Sequence, residues 1–430
     1  MPYLIYLFIF LVQGKSENSI EFKIEISDSY PTISLDIGNQ KSRKLLLSHY
    51  TPMILTFPYQ NIPNHYDNAN SLTYNPSDII TQIPNINYGK ENYIVMLSDE
   101  SFTINNNLNL SLKFGAITNE NFKCPDSSAG LSGLIRNTEG LFNLENKYLL
   151  INQLYEQKKI SQKLFYIALY YKNNELLSES KIILGSYPQE LKLNELPYCD
   201  LDNTYSKNYF DCRLDEIIIE DVDNTTRVQT YKERHIVARF EEGNIQPNQL
   251  PYYLYPTFKD IFITKNGCEE KDGIFDCSKK PEVIKNFKVS YVFGKYKYLM
   301  NADSIWSQNK FNFRFPKETG DNFVRLFSSF SGNFHRIYFM DDQRVYYLGI
   351  NNNIIKLDDN SKPNDDNNDK KKVWLVISLI AIIILIIIII IITIAFVVQM
   401  KHKKDLENIA KVSFTDDNEE KGKNNLLANE

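Results

Sequence analysis

Between Val373 and Val398 the chain runs for 26 residues without a charged side chain, and Ile, Leu, Val and Ala fill most of the positions. About 20 apolar residues in a helix cross the hydrocarbon of a bilayer, where each backbone N–H and C=O must be satisfied inside the helix. A buried core helix would show polar residues recurring along one face, and none recur here. A transmembrane helix over 373–398 is therefore predicted. Lys370 to Lys372 precede it and Lys401, Lys403 and Lys404 follow it, so local charge does not set the orientation. The other end of the chain does. Tyr3 to Val12 is an apolar run too short to span, followed by Gln13-Gly14-Lys15-Ser16, and residues 1–16 read as a signal peptide although no Lys or Arg precedes the run. The expectation is a single-pass type I membrane protein whose ectodomain is extracellular or lumenal, at the cell surface or in the endomembrane system.

Composition narrows what lies between. Twenty-eight Tyr and 26 Phe raise the aromatic share to 13%, which favours strands. Forty-eight basic against 53 acidic side chains give a net charge of −5, without the basic excess that a phosphate backbone attracts, so nucleic acid is not an expected partner. From Asn351 the chain turns polar (NNNIIKLDDNSKPNDDNNDKKK), and 351–372 reads as a disordered stalk; 399–430 reads as a cytoplasmic tail of mixed charge. In the ectodomain, Ile20 to Ile26, Asn92 to Leu97, Leu108 to Phe114, Lys181 to Leu184, Glu216 to Ile219 and Ile337 to Met340 read as strands between Asn, Asp, Gly and Pro punctuation. One exception is Leu144 to Gln157, where Leu144, Tyr148, Ile151, Leu154 and Tyr155 recur at helical spacing, with the strand-like LFYIALYY after it.

The order of these features resembles the pepsin and cathepsin D-like aspartic peptidases. Ile37-Gly38 is similar to the family's first-strand element, Tyr88-Gly89 to the Tyr-Gly of its flap, with Phe114-Gly115 following at a family-like distance. Gly130-Leu131-Ser132-Gly133-Leu134 resembles its G-I-L-G-L. LINQLYEQKKIS with LFYIALYY resembles its helix and following strand, and this is the most specific match. Lys181 to Gly185 and then Phe330 to Val345 continue the sequence of resemblances in family order. The resemblance implies a mainly β, bilobal ectodomain with an N-terminal lobe at 17–188, a C-terminal lobe at 189–350, and a cleft between them.

That family hydrolyses peptide bonds with two aspartates, one from each lobe, which share a proton and activate a water. Counting without gaps from Ile37-Gly38 puts His49 in the place of the first aspartate, with Tyr50 and Thr51 behind it; Glu241-Glu242-Gly243 stands where the second Asp-Thr/Ser-Gly would be. An imidazole beside a carboxylate forms an ion pair rather than a proton-sharing dyad, and the extra methylene of Glu moves its oxygens beyond the roughly 0.5 Å tolerance of a catalytic constellation. The expected function is that of a peptidase-like membrane protein without proteolysis, binding a peptide or protein in the cleft. The alternatives are a divergent active endopeptidase, and a structural or adhesive surface protein.

The resemblance also bears on the cysteines. Cys268 and Cys277 close a short loop where the family often carries a disulfide; Cys199 with Cys212 is the natural second pair, although four cysteines allow three connectivities, and Cys124 is left over. No His accompanies them at zinc spacing, so neither metal nor cofactor is expected. Asn109 and Asn224 open Asn-x-Ser/Thr sequons and are expected glycosylation sites on a translocated chain.

Overall fold

The computed structural model describes residues 18–357 apart from short gaps, the longest being 58–64, 84–91, 119–127, 241–247 and 318–322, together with 394 and 397–401. By internal contacts the chain divides into Met1–Leu357 and Asp358–Glu430. Strands dominate the first unit, as its aromatic and β-branched content predicts. Those of its first half used below are β1 (Ile20–Lys23), β2 (Tyr30–Ile37), β3 (Gln40–Ser48), β4 (Leu55–Thr56), β5 (Asn75–Ile83), β6 (Tyr93–Ile104), β7 (Leu108–Ile117), β8 (Gly130–Gly133), β9 (Leu164–Ala168) and β10 (Lys181–Leu184). Those of the second half used below are β11 (Tyr198–Asp200), β12 (Cys212–Arg213), β13 (Glu216–Glu220), β14 (Val237–Phe240), β15 (Asn248–Gln249), β16 (Lys288–Phe293), β17 (Tyr296–Leu299), β18 (Phe313–Arg314), β19 (Phe323–Leu326), β20 (Phe334–Phe339) and β21 (Arg344–Gly349).

The same strand topology occurs twice. In the first half β3 runs parallel to β8, β8 antiparallel to β4, and β4 parallel to β7. In the second half β14 runs parallel to β19, β19 antiparallel to β15, and β15 parallel to β18. Chain order and spatial order agree between the two sets. Each set sits in a larger sheet, eight strands in the first half and five in the second, while a second five-stranded sheet is built around β13, β16 and β17. A six-stranded sheet in the order β1-β10-β9-β20-β21-β11 takes strands from both halves and joins them.

That joining sheet is apolar on both faces. In β9 every residue is buried: Phe165 and Ile167 pack into the main core, whereas Leu164, Tyr166 and Ala168 belong to a second cluster with Leu196 and Ile337. The alternation is the period-two pleat of a strand covered on both sides.

The predicted helix over 144–157 is divided. A 3-10 turn at Asn146–Tyr148 is followed by Leu149 in an extended conformation (ψ 134°), and only Leu150–Glu156 (α1) is α-helical. Ile151 and Leu154 are buried as the spacing requires, but Tyr155 is 40% exposed, because a helix of two turns presents too narrow a face to cover five apolar residues. Among the described residues no helix is long and apolar enough to cross a membrane; the predicted signal peptide and all but a few residues of the predicted span lie outside them.

Candidate functional site

In the two repeated strand sets, β3 and β14 hold equivalent places. Ser48 is the last paired residue of β3, opposite Gly133, and Phe240 is the last of β14, opposite Leu326. In sequence the next residues are His49 and Glu241, the two positions that the motif count singles out. His49 is buried (5% exposed) among aromatic rings, with centroids 5.9 Å from Phe165 on β9 and 5.5 Å from Tyr338 on β20. Glu241 lies outside the described residues, as do Tyr88 and Gly89 of the expected flap.

The glycines of the GLSGL segment anchor the first loop. A Cβ on Gly133 would stand 2.4 Å from the Thr51 carbonyl oxygen and 2.5 Å from the Met53 nitrogen, and one on Gly130 would stand 1.9 Å from the Leu55 oxygen. Backbone passes over backbone here, which only glycine permits. Hydrogen bonds from the Leu134 N–H to the Ser48 oxygen (2.8 Å) and from the Ile135 N–H to the Thr51 oxygen (3.2 Å) hold the loop down.

Sequence reasoning missed what fills the centre. Arg239 on β14 donates from Nε and Nη2 to the two carboxylate oxygens of Asp211 at 2.7 and 2.5 Å, a bidentate pair with Asp211 fully buried. The guanidinium lies 4.4 Å from the rings of Tyr209 and Phe323 and 5.9 Å from that of Tyr50, so the first loop and the strand carrying the second meet around it. Burial alone would lower the Arg239 guanidinium; the charge and hydrogen bonds of Asp211 more than offset this and hold it above its ordinary value. Burial also pushes the Tyr209 phenol up to about 12, Arg239 opposing and Asp211 assisting.

Asp211 arrives on a cross-linked loop. Disulfides Cys199–Cys212 and Cys268–Cys277 are both formed. The first closes a loop from β11 to β12 that feeds the junction: Tyr209 packs edge-on against Tyr50, Phe210 packs against Phe165 and Tyr338, and the Asn208 amide donates to the Asn137 and Glu139 carbonyls at 2.9 Å. A charged residue in the apolar stretch HIVARF and a lone Asp beside Cys212 were the available signals, but 28 positions separate the partners.

Behind the site, the joining sheet carries a buried histidine. His335 on β20 faces Tyr166, whose hydroxyl is 3.0 Å from its Nδ1, and Tyr170 at 4.5 Å between centroids. Burial first, and then neighbouring Arg336, holds its imidazole down at about 4.

A family model, that of the eukaryotic aspartyl proteases, matches residues 58–316, more than half of the chain. The chain belongs to the eukaryotic aspartyl protease family. No curated protein matches it. In that family setting, the loop from His49 to Ile54 (HYTPMI) carries no carboxylate, and the buried Asp211 is paired with Arg239. Among the described residues no group of three His, Cys, Asp or Glu side chains could hold a metal. Asn109 is exposed on β7, its Oδ1 accepting from the Thr103 hydroxyl at 2.7 Å; Asn224 and Cys124 lie outside the described residues.

Proposed function

We propose that this member of the aspartyl protease family is a membrane-anchored binding protein without proteolytic activity, taking an extended peptide or a protein segment between its two halves. The observation that carries the reading is the occupant of the first catalytic loop: a buried imidazole, His49, set against Phe165 and Tyr338, where the chemistry needs a solvated carboxylate. The Arg239–Asp211 pair supports it, since a guanidinium neutralised by its own carboxylate supplies neither acid nor base near neutral pH. Anchoring rests on the uncharged run 373–398 and orientation on the apolar start of the chain, with Asn109 and Asn224 then on the glycosylated side.

Hydrogen exchange of the purified protein against a diverse peptide library tests the binding half of this reading. Bound peptides slow exchange in the loop 49–54 and along β14. Exchange unchanged at saturating peptide contradicts ligand binding and leaves a structural or adhesive role.

A further inference from the structure

A cavity opens beside the segment that follows β8. After β8 the chain reaches Arg136, which is 9% exposed and lines a cavity of about 380 Å³ bounded by α1, the turn between β20 and β21, and the disulfide-closed loop. Its guanidinium donates to the Met340 oxygen (3.3 Å), the Asp342 main-chain oxygen (2.9 Å) and the Asn203 amide oxygen (2.8 Å). These bonds use three of its five N–H groups, and every acceptor is neutral. Among the described residues no carboxylate forms an ion pair with it. The Asp342 carboxylate is engaged elsewhere, by the Gln343 N–H and the Tyr346 hydroxyl. Burial lowers this guanidinium while the charges of Asp341 and Asp342 raise it, and burial prevails, so a desolvated cation facing an open volume still lacks full compensation.

The rest of the wall fits that role. Lys207 brings a second cation, Asp341 the wall's one carboxylate, and Asn152 an amide, while Leu149 and Met340 supply the apolar part. Asp341 on the wall and Asp342 beside it balance the two cations in number, but their charges do not offset the burial of Arg136, and arginine with lysine is the combination that grips a planar or tetrahedral oxyanion. We propose that this cavity binds a small oxyanion, a carboxylate or a phosphate, held between Arg136 and Lys207.

Full-length protein in detergent is titrated with inorganic phosphate in one arm and succinate in the other, with sodium chloride at matched ionic strength as the control, reading the unfolding temperature and the heat of binding. The expected result is a saturable rise in unfolding temperature with at least one of the two anions, at one site per chain and not with chloride; the responding arm identifies the head group. Lys207→Gln weakens that binding at least five-fold and Lys207→Glu abolishes it, while both keep the ligand-free unfolding temperature because Lys207 is exposed. Arg136→Gln also abolishes binding but loosens the β20–β21 turn, so the Lys207 variants decide. No saturable effect from either anion, or affinity unchanged in Lys207→Glu, overturns the proposal.

Discussion

Asp211 and Arg239 form an ion pair buried at 0% and 12% side-chain exposure, and the consequence of breaking it is asymmetric. Removing one partner leaves the other charged in a low-dielectric setting, at a cost of about 3–5 kcal/mol, whereas replacing both with apolar side chains of similar size is often neutral. Asp211→Asn is therefore expected to lower the unfolding free energy measured in urea by that amount, and Asp211→Leu combined with Arg239→Met to recover most of it. Equal losses in the single and double variants would contradict the pair's burial. His335 gives a pH signature. Its folded value of about 4 lies below the ordinary 6.5, so the neutral form is favoured in the fold. The unfolded chain takes up the proton first as pH falls, and the stability this residue contributes is complete above 6.5 and lost between 6.5 and 4. At about 1.4 kcal/mol per unit the loss is about 3 kcal/mol. Comparison of urea midpoints at pH 7 and 4 should show a smaller decline in His335→Gln than in the native chain, and parallel declines would refute it.

Among the elements, β8 is the one on which the first loop rests. Gly133→Ala drives a Cβ into the Thr51 and Met53 backbone, which cannot rotate away as a side chain would. Overpacking of this kind costs typically 1–3 kcal/mol, and the expected result is a loss at or above the upper end together with faster amide exchange across 49–54. Exchange and stability like those of the native chain would show that the loop does not lie on β8. This element was legible in the sequence because its glycines sit in a recognisable motif, and the strand runs at 181–184 and 216–219 were legible because β-branched residues fill them. The repeated strand topology was not. β4, β15 and β18 are two residues long, too short to carry any periodicity, and what makes them strands is pairing with segments tens of residues away. The helix was over-read for the opposite reason: apolar spacing continued through Leu149, where the backbone turns extended.

For the whole molecule, the family was legible in the order of the sequence motifs, and the family model matches residues 58–316. The motifs did not disclose the guanidinium and tyrosines that occupy the junction: Asp211 and Arg239 lie 28 positions apart within the second half, and Tyr50 and Tyr209 meet only when both halves are folded. The Cys199–Cys212 bridge holds that assembly by closing the loop that carries Tyr209, Phe210 and Asp211. A loop of this size limits the unfolded chain by about 3 kcal/mol, so Cys199→Ser with Cys212→Ser is expected to lower stability by that amount and to increase exchange at Tyr50. The proposed function has this family's scaffold working without a catalytic acid pair. Its most direct test is incubation of the purified, demonstrably folded protein with a diverse peptide library from pH 3 to 7, with and without a pepstatin-type transition-state mimic. The account predicts no cleavage at any pH. Cleavage that the mimic blocks and that disappears in Glu241→Gln would contradict it and show a site rebuilt around a glutamate.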